Sequence, residues 1–154
     1  MEMKQLLGKL DLFRGLSDEE LSDIVSICEV QTLSSGDVFA VEGEAGNQLC
    51  IVQDGLMEVE ITGGDDTPPK TLIHLGKGQL IGEMSLVDHG TRSATVRAIQ
   101  SPTTIIVIDH EDFHQLCRAN TQIGYTVMKN MAADLSFKLR HSSYGLRGRA
   151  HGHL

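Results

Sequence analysis

The chain has 154 residues, of which 40% are hydrophobic and 22% charged, the balance of a folded domain and, by length, of a single one. Its 13 Lys and Arg against 21 Asp and Glu leave a net charge of −8. That excludes a general nucleic-acid binder, which needs a basic face to displace counterions. No apolar run approaches the ~20 residues of a membrane span. The longest aliphatic block is Ile105-Ile106-Val107-Ile108, and Met1-Glu2-Met3-Lys4 does not open the apolar stretch of a signal peptide. Charge is uneven: residues 1–60 carry thirteen acids and three bases, whereas 135–154 carry Lys138, Arg140, Arg147, Arg149 and no acid. Cys28, Cys50 and Cys117 are odd in number and widely spaced, which points to reduced thiols and a cytoplasmic location.

Helical signals open the chain. Ser17-Asp18-Glu19-Glu20 is a capping box, with Leu16 and Leu21 at the flanking staple positions. Leu21, Ile24, Val25 and Cys28 recur at helical spacing, so a helix is predicted over 18–28 with one stripe on a core. From Glu29 to Asp109 short β-branched segments alternate with glycine turns. The predicted strands are 29–33, 37–41, 48–53, 56–62, 70–75, 79–82, 92–98 and 103–109, the spacing of a sandwich, roll or barrel. Gly63 to Pro69 is too polar and too rich in breakers for a strand, and reads as a hairpin loop. Asp109 is placed to cap a helix with Phe113, Leu116 and Cys117 on its apolar side. A longer helix is predicted over 121–142, lined by Val127, Met128, Met131, Leu135 and Leu139. The domain thus divides into a helical lead-in 1–28, a β region 29–109, helices 110–142 and a loose tail 143–154.

The segment with chemistry is Leu80-Ile81-Gly82-Glu83-Met84-Ser85-Leu86 through Arg92-Ser93-Ala94-Thr95. A strand ending at Gly82 lets the backbone approach a ligand. One helical turn over 83–87 would present free N–H groups to an anion. Arg92, opening the next strand, offers a planar fork suited to phosphate oxygens. Together these make an anion cradle. Glu83 would repel a bare phosphate but is suited to accept a ribose hydroxyl beside one. From composition alone, a surface turn with a solvated Glu and Arg is an equal alternative.

The stretch 82–95 resembles the phosphate-binding cassette of cyclic nucleotide-binding domains, as in catabolite activator protein, protein kinase A regulatory subunits and cyclic-nucleotide-gated channels. Gly82-Glu83-Met84-Ser85-Leu86 and Arg92-Ser93-Ala94-Thr95 match its two halves. Leu12 to Leu21, Gly36-Asp37, Glu42-Gly43 and Ile51-Val52-Gln53-Asp54-Gly55 match flanking family features, so the resemblance covers about residues 9–140. It implies a mainly β fold: a jelly-roll-like double-stranded β-roll of about eight strands, with N-terminal helices and a long C-terminal helix. It also implies roles. Arg92 pairs with the cyclic phosphate, Glu83 takes the ribose 2′-hydroxyl, and the backbones of Ser85 and Met84 donate to the phosphate. Gly82 allows close approach, Ser93 and Ala94 complete the cassette, and Val59 and Leu72, aligned by strand position only, floor the base.

The expectation is therefore a stand-alone regulatory module, not an enzyme, that binds a cyclic mononucleotide, cyclic AMP in preference to cyclic GMP, with no further cofactor or metal. The 154 residues leave no room for the helix-turn-helix of the family's transcription factors, so output would pass to an effector protein or to a homodimer through helix 121–142. Phe137, Lys138 and Arg140 are candidates to reach the base. Two alternatives have residues to support them. The roll can serve as an interaction domain that has lost its ligand. His110-Glu111-Asp112-Phe113-His114 matches H-E-x-x-H, the helix signature of a zinc hydrolase using His110 and His114, although a helix N-terminus disfavours a cation. A cupin-like metal site lacks clustered ligands, with only His74 and His89 in the β region.

Overall fold

A computed structural model describes residues 2–62, 68, 70–88 and 90–148, with the side chains of Leu72 and of residues 142–148 outside the description. Helix α1 spans Met3–Gly8, α2 spans Asp18–Val25, α3 spans His110–Ala119 and α4 spans Thr121–Gly148. Eight strands lie between α2 and α3: β1 Cys28–Leu33, β2 Val38–Ala40, β3 Gln48–Asp54, β4 Met57–Ile61, β5 Lys70–Leu75, β6 Leu80–Ile81, β7 Thr95–Ala98 and β8 Thr103–Asp109. They form two four-stranded antiparallel sheets, ordered β1-β8-β3-β6 and β2-β7-β4-β5. The β-roll with flanking helices is thus the observed fold.

The aliphatic block 105–108 is explained by β8 being buried on both faces. Side chains alternate across a strand. Ile105 and Val107 join Cys50, Val52, Met57, Leu75 and Val96 between the sheets. Ile106 and Ile108 join Leu49 and Ile51 beneath the helices, against Phe13, Ile24, Phe113, Ile123 and Val127. Both faces of β3 and β8 are consumed by packing, as in strands that read as continuous apolar runs. The site is carried by the edges around them.

The caps form as the sequence reads. Ser17 Oγ accepts the Glu20 N–H while Glu20 Oε1 accepts the Ser17 N–H. Asp109 Oδ1 accepts the N–H groups of Glu111 and Asp112. Three boundaries differ by three residues or more. Helix α2 stops at Val25, and Cys28 opens β1 opposite Ile108. Pairing with β8 captures this residue, while its thiol still reaches back to the Ile24 carbonyl at 3.3 Å. Strand β7 starts at Thr95, so Arg92 precedes the strand. Its N–H instead donates to the Glu44 carbonyl at 2.8 Å and its carbonyl accepts from Gly43 at 2.9 Å. Helix α4 continues six residues beyond 142, to Gly148. The hairpin loop expected at 63–69 falls almost wholly outside the described residues, but its strands β4 and β5 pair as expected. Among the described residues no helix is long and apolar enough to cross a membrane.

Candidate functional site

The strand-to-turn exit at Gly82 builds one wall of a cavity of about 340 Å³. Met84–Leu86 forms a single 3-10 turn. Its last residue, Leu86, is buried and anchors the turn in the helical core. The Ser85 hydroxyl donates to the Gly82 carbonyl at 2.8 Å, closing the turn on itself. The opposite wall is Thr91, Arg92, Ser93 and Ala94. Val59 and Val96 lie at the apolar end, with Ile81. The cavity thus gathers Gly82, Glu83, Met84, Ser85, Arg92, Ser93, Ala94 and Val59 of the expected residues. The Leu72 side chain lies outside the described residues.

Arg92 is half-buried, and its environment decides what it can do. Its Nη2 donates to the Gln48 carbonyl at 2.6 Å. Its guanidinium lies 5.5 Å from the centre of the Phe39 ring, in cation–π range. Among the described residues no carboxylate pairs with it. A carbonyl orients a guanidinium without cancelling its charge, so the positive charge faces the cavity unneutralised. Burial lowers its pKa, opposed by the neighbouring Cys50, but a guanidinium remains charged at any physiological pH. Burial in turn pushes the Cys50 thiol up to about 12 despite Arg92, so it stays neutral beneath the cradle.

Two glycines shape the slot. Gly82 has φ +91°, a conformation that disfavours any side chain. A Cβ there would stand 2.5 Å from Arg92 Nη1 and 2.6 Å from the Gln48 carbonyl oxygen. A Cβ at Gly46 would overlap the Arg92 Nε, Cδ and Cζ atoms. Gly46, Gln48 and Phe39 were not legible as site residues, because each acts on a residue more than forty positions away. Asp88 also lines the cavity. Its Oδ1 is engaged by the Gly90 N–H at 3.0 Å.

Glu83 and Met84 belong to two cavities at once. On their far side lies a second space of about 410 Å³, between the Leu10–Leu12 turn, the β5–β6 connection and α4 residues Asn130, Met131, Asp134, Leu135 and Lys138. Burial raises the Glu83 pKa, with Lys138 opposing and Asp134 reinforcing the rise. Lys138 itself pairs with Asp134 at 2.9 Å. Of the α4 candidates to reach a base, only Lys138 lines this space, while Phe137 is exposed and stacks at 4.1 Å on His141. Among the described residues no cluster of three potential metal ligands occurs, around the H-E-x-x-H motif or elsewhere. His110 is buried and Phe113 packs in the core.

The chain matches the cyclic nucleotide-binding domain over residues 30–120, which contain the whole cradle. The chain belongs to the cyclic nucleotide-binding domain family. Cyclic AMP receptor protein of Thermus thermophilus is 33% identical over 137 residues, covering 88% of this chain and 60% of that protein. Mouse (Mus musculus) cGMP-dependent protein kinase 2 is 32% identical over 115 residues, covering 74% of this chain and 15% of the kinase. The chain therefore spans less than two thirds of either relative. The solved N-terminal domain of a transcriptional regulator from Streptomyces coelicolor superposes with a TM-score of 0.81 at 26% identity, covering 88% of this chain and 94% of that one.

Proposed function

We propose that this domain is a regulatory module that binds a cyclic mononucleotide at Arg92, cyclic AMP in preference to cyclic GMP, and acts by binding rather than catalysis. The observation that carries the reading is the half-buried Arg92, oriented by the Gln48 carbonyl and unpaired with any described carboxylate. A singly charged cyclic diester supplies the missing countercharge, with Met84 and Ser85 presenting backbone donors from the facing wall. Ala94, Val59 and Val96 offer apolar surface to the remainder of the ligand. Glu83 accepts the ribose 2′-hydroxyl, and Ser93, exposed at the rim, accommodates either purine. The preference for cyclic AMP rests on the broader likeness to the receptor protein, which spans 88% of this chain.

The signal leaves through α4. A ribose on Glu83 competes for a carboxylate that α4 approaches through Lys138. Nucleotide binding then shifts the population of α4 positions relative to the cradle, since a ligand moves an equilibrium only through a group it engages differently in the two states. Ile123, Val127 and Met131 pack on the domain itself, whereas Tyr125 and Leu139 remain exposed and supply surface for an effector or a second copy of the chain. A cytoplasmic setting suits three unpaired thiols. The test is a thermal-shift titration with cyclic AMP, cyclic GMP and 5′-AMP. Cyclic AMP at 100 times its dissociation constant is expected to add about 2.7 kcal/mol of stability. No shift with either cyclic nucleotide would assign the roll to the ligand-free interaction role instead.

A further inference from the structure

His110 opens the H-E-x-x-H motif, and its setting is unusual for a histidine. It is the first residue of α3 and is 8% exposed. Its ring Nε2 is buried with no hydrogen-bond partner. Buried polar groups without partners are rare and costly, so the ring is held there by its surroundings. Its main-chain N–H donates to the Asn47 carbonyl at 2.9 Å, one residue before the Gln48 carbonyl that anchors Arg92. Arg92, Asp109, His114 and the Gly82 backbone are the groups within electrostatic reach of the ring.

Resting on the nucleotide-binding reading above, we propose that His110 is coupled to the phosphate cradle through Arg92, and that a bound cyclic phosphate draws a proton onto its ring. In the free protein, burial and the Arg92 charge hold His110 below its ordinary pKa, with His114 adding to the repulsion and Asp109 and the Gly82 backbone opposing it. A diester on Arg92 cancels the main repulsive charge. The ring is already nearly fully buried, so the ligand adds little desolvation and the change in charge decides the sign. Protonation becomes easier in the complex. By linkage, binding takes up protons and tightens as pH falls from the bound-state midpoint toward the free-state one.

The test is calorimetry of cyclic AMP with the full chain at about pH 6, near the ordinary histidine range, in two buffers of different ionisation enthalpy. It is paired with ring-labelled histidine NMR of the wild-type protein, free and saturated. The His110 midpoint is expected to rise by about one unit, equivalent to about tenfold tighter binding at pH below the free-ring midpoint than at neutral pH. His110→Asn should reduce the proton uptake read from the two buffers and weaken the pH dependence of affinity, and His114→Asn should leave both in place. An identical His110 midpoint in free and saturated wild-type protein would overturn the inference, and it needs no variant to fold. Absence of saturable heat would instead remove the nucleotide reading itself, and the proton linkage with it.

Discussion

Arg92 and Arg97 stand five residues apart on the same stretch of chain, yet their charges are handled in opposite ways. Arg97 lies on β7 across from Glu58 on β4, where its Nε approaches Glu58 at 3.5 Å and its Nη2 approaches Glu60 at 3.3 Å. Two carboxylates from the alternating Glu58-Val59-Glu60 pattern enclose it, so its charge is spent on cross-strand pairing. Arg92 sits just before that strand begins and meets a carbonyl, an aromatic face and a buried thiol. Residue type does not separate a binding arginine from a structural one. Whether the fold has already neutralised the charge does.

The largest expected contrast comes from removing each side chain. Arg92→Ala should weaken cyclic AMP by ten- to a hundredfold or more, as the loss of a charged hydrogen bond of roughly 1.5–3 kcal/mol requires. Calorimetry checks this, and circular dichroism should report a retained fold. Gly46→Ala sharpens the comparison by displacing the Arg92 side chain while keeping its charge. Gly46 has no positive φ to forbid the substitution, so the fold should survive and affinity should fall by about tenfold.

Glu83→Gln is expected to move stability and binding in opposite directions. The folded carboxyl is raised by burial, so the folded state binds the proton more tightly than the unfolded chain. The stability this contributes is present below the unfolded value of about 4.3 and is lost as pH rises through the folded value. At neutral pH the ionised group therefore costs the fold. The variant should melt higher at pH 7, match wild type below about pH 4, and bind cyclic AMP more weakly. The smallest effect belongs to Arg97→Ala. It should leave nucleotide affinity unchanged and cost about 1 kcal/mol, the value of a partly exposed pair, or about 2–4 °C in Tm for a chain of this length. A loss of affinity at Arg97 comparable with that at Arg92 would break the comparison.

Much of the fold was legible locally. The capping box at Ser17, the Asp109 cap and all eight strands rest on patterns a few residues long, and each formed. The boundaries that moved were set by distant partners. Cys28 fits the α2 stripe by spacing, but β8 recruits it into β1. Arg92 fits the start of β7 by composition, but the 43–45 loop holds its backbone off the ladder, with Ala45 bridging Thr91. The cassette residues were legible because they are contiguous. Gly46 and Gln48 were not, since their importance arises only when the roll brings β3 alongside the cassette. The apolar stripe of α4 likewise reads as uniform, whereas the structure divides it into a buried Val127 and Met131 and an exposed Leu139.

The most direct measurement is a thermodynamic cycle comparing cyclic AMP with adenosine, which lacks the phosphate, on wild type and Arg92→Ala. Wild type is predicted to favour the cyclic phosphate by a hundredfold or more, on the order of 2.7 kcal/mol, and the variant to lose most of that ratio. An equal ratio in both proteins would show that the phosphate is held elsewhere, and the account built on the unneutralised guanidinium would be wrong.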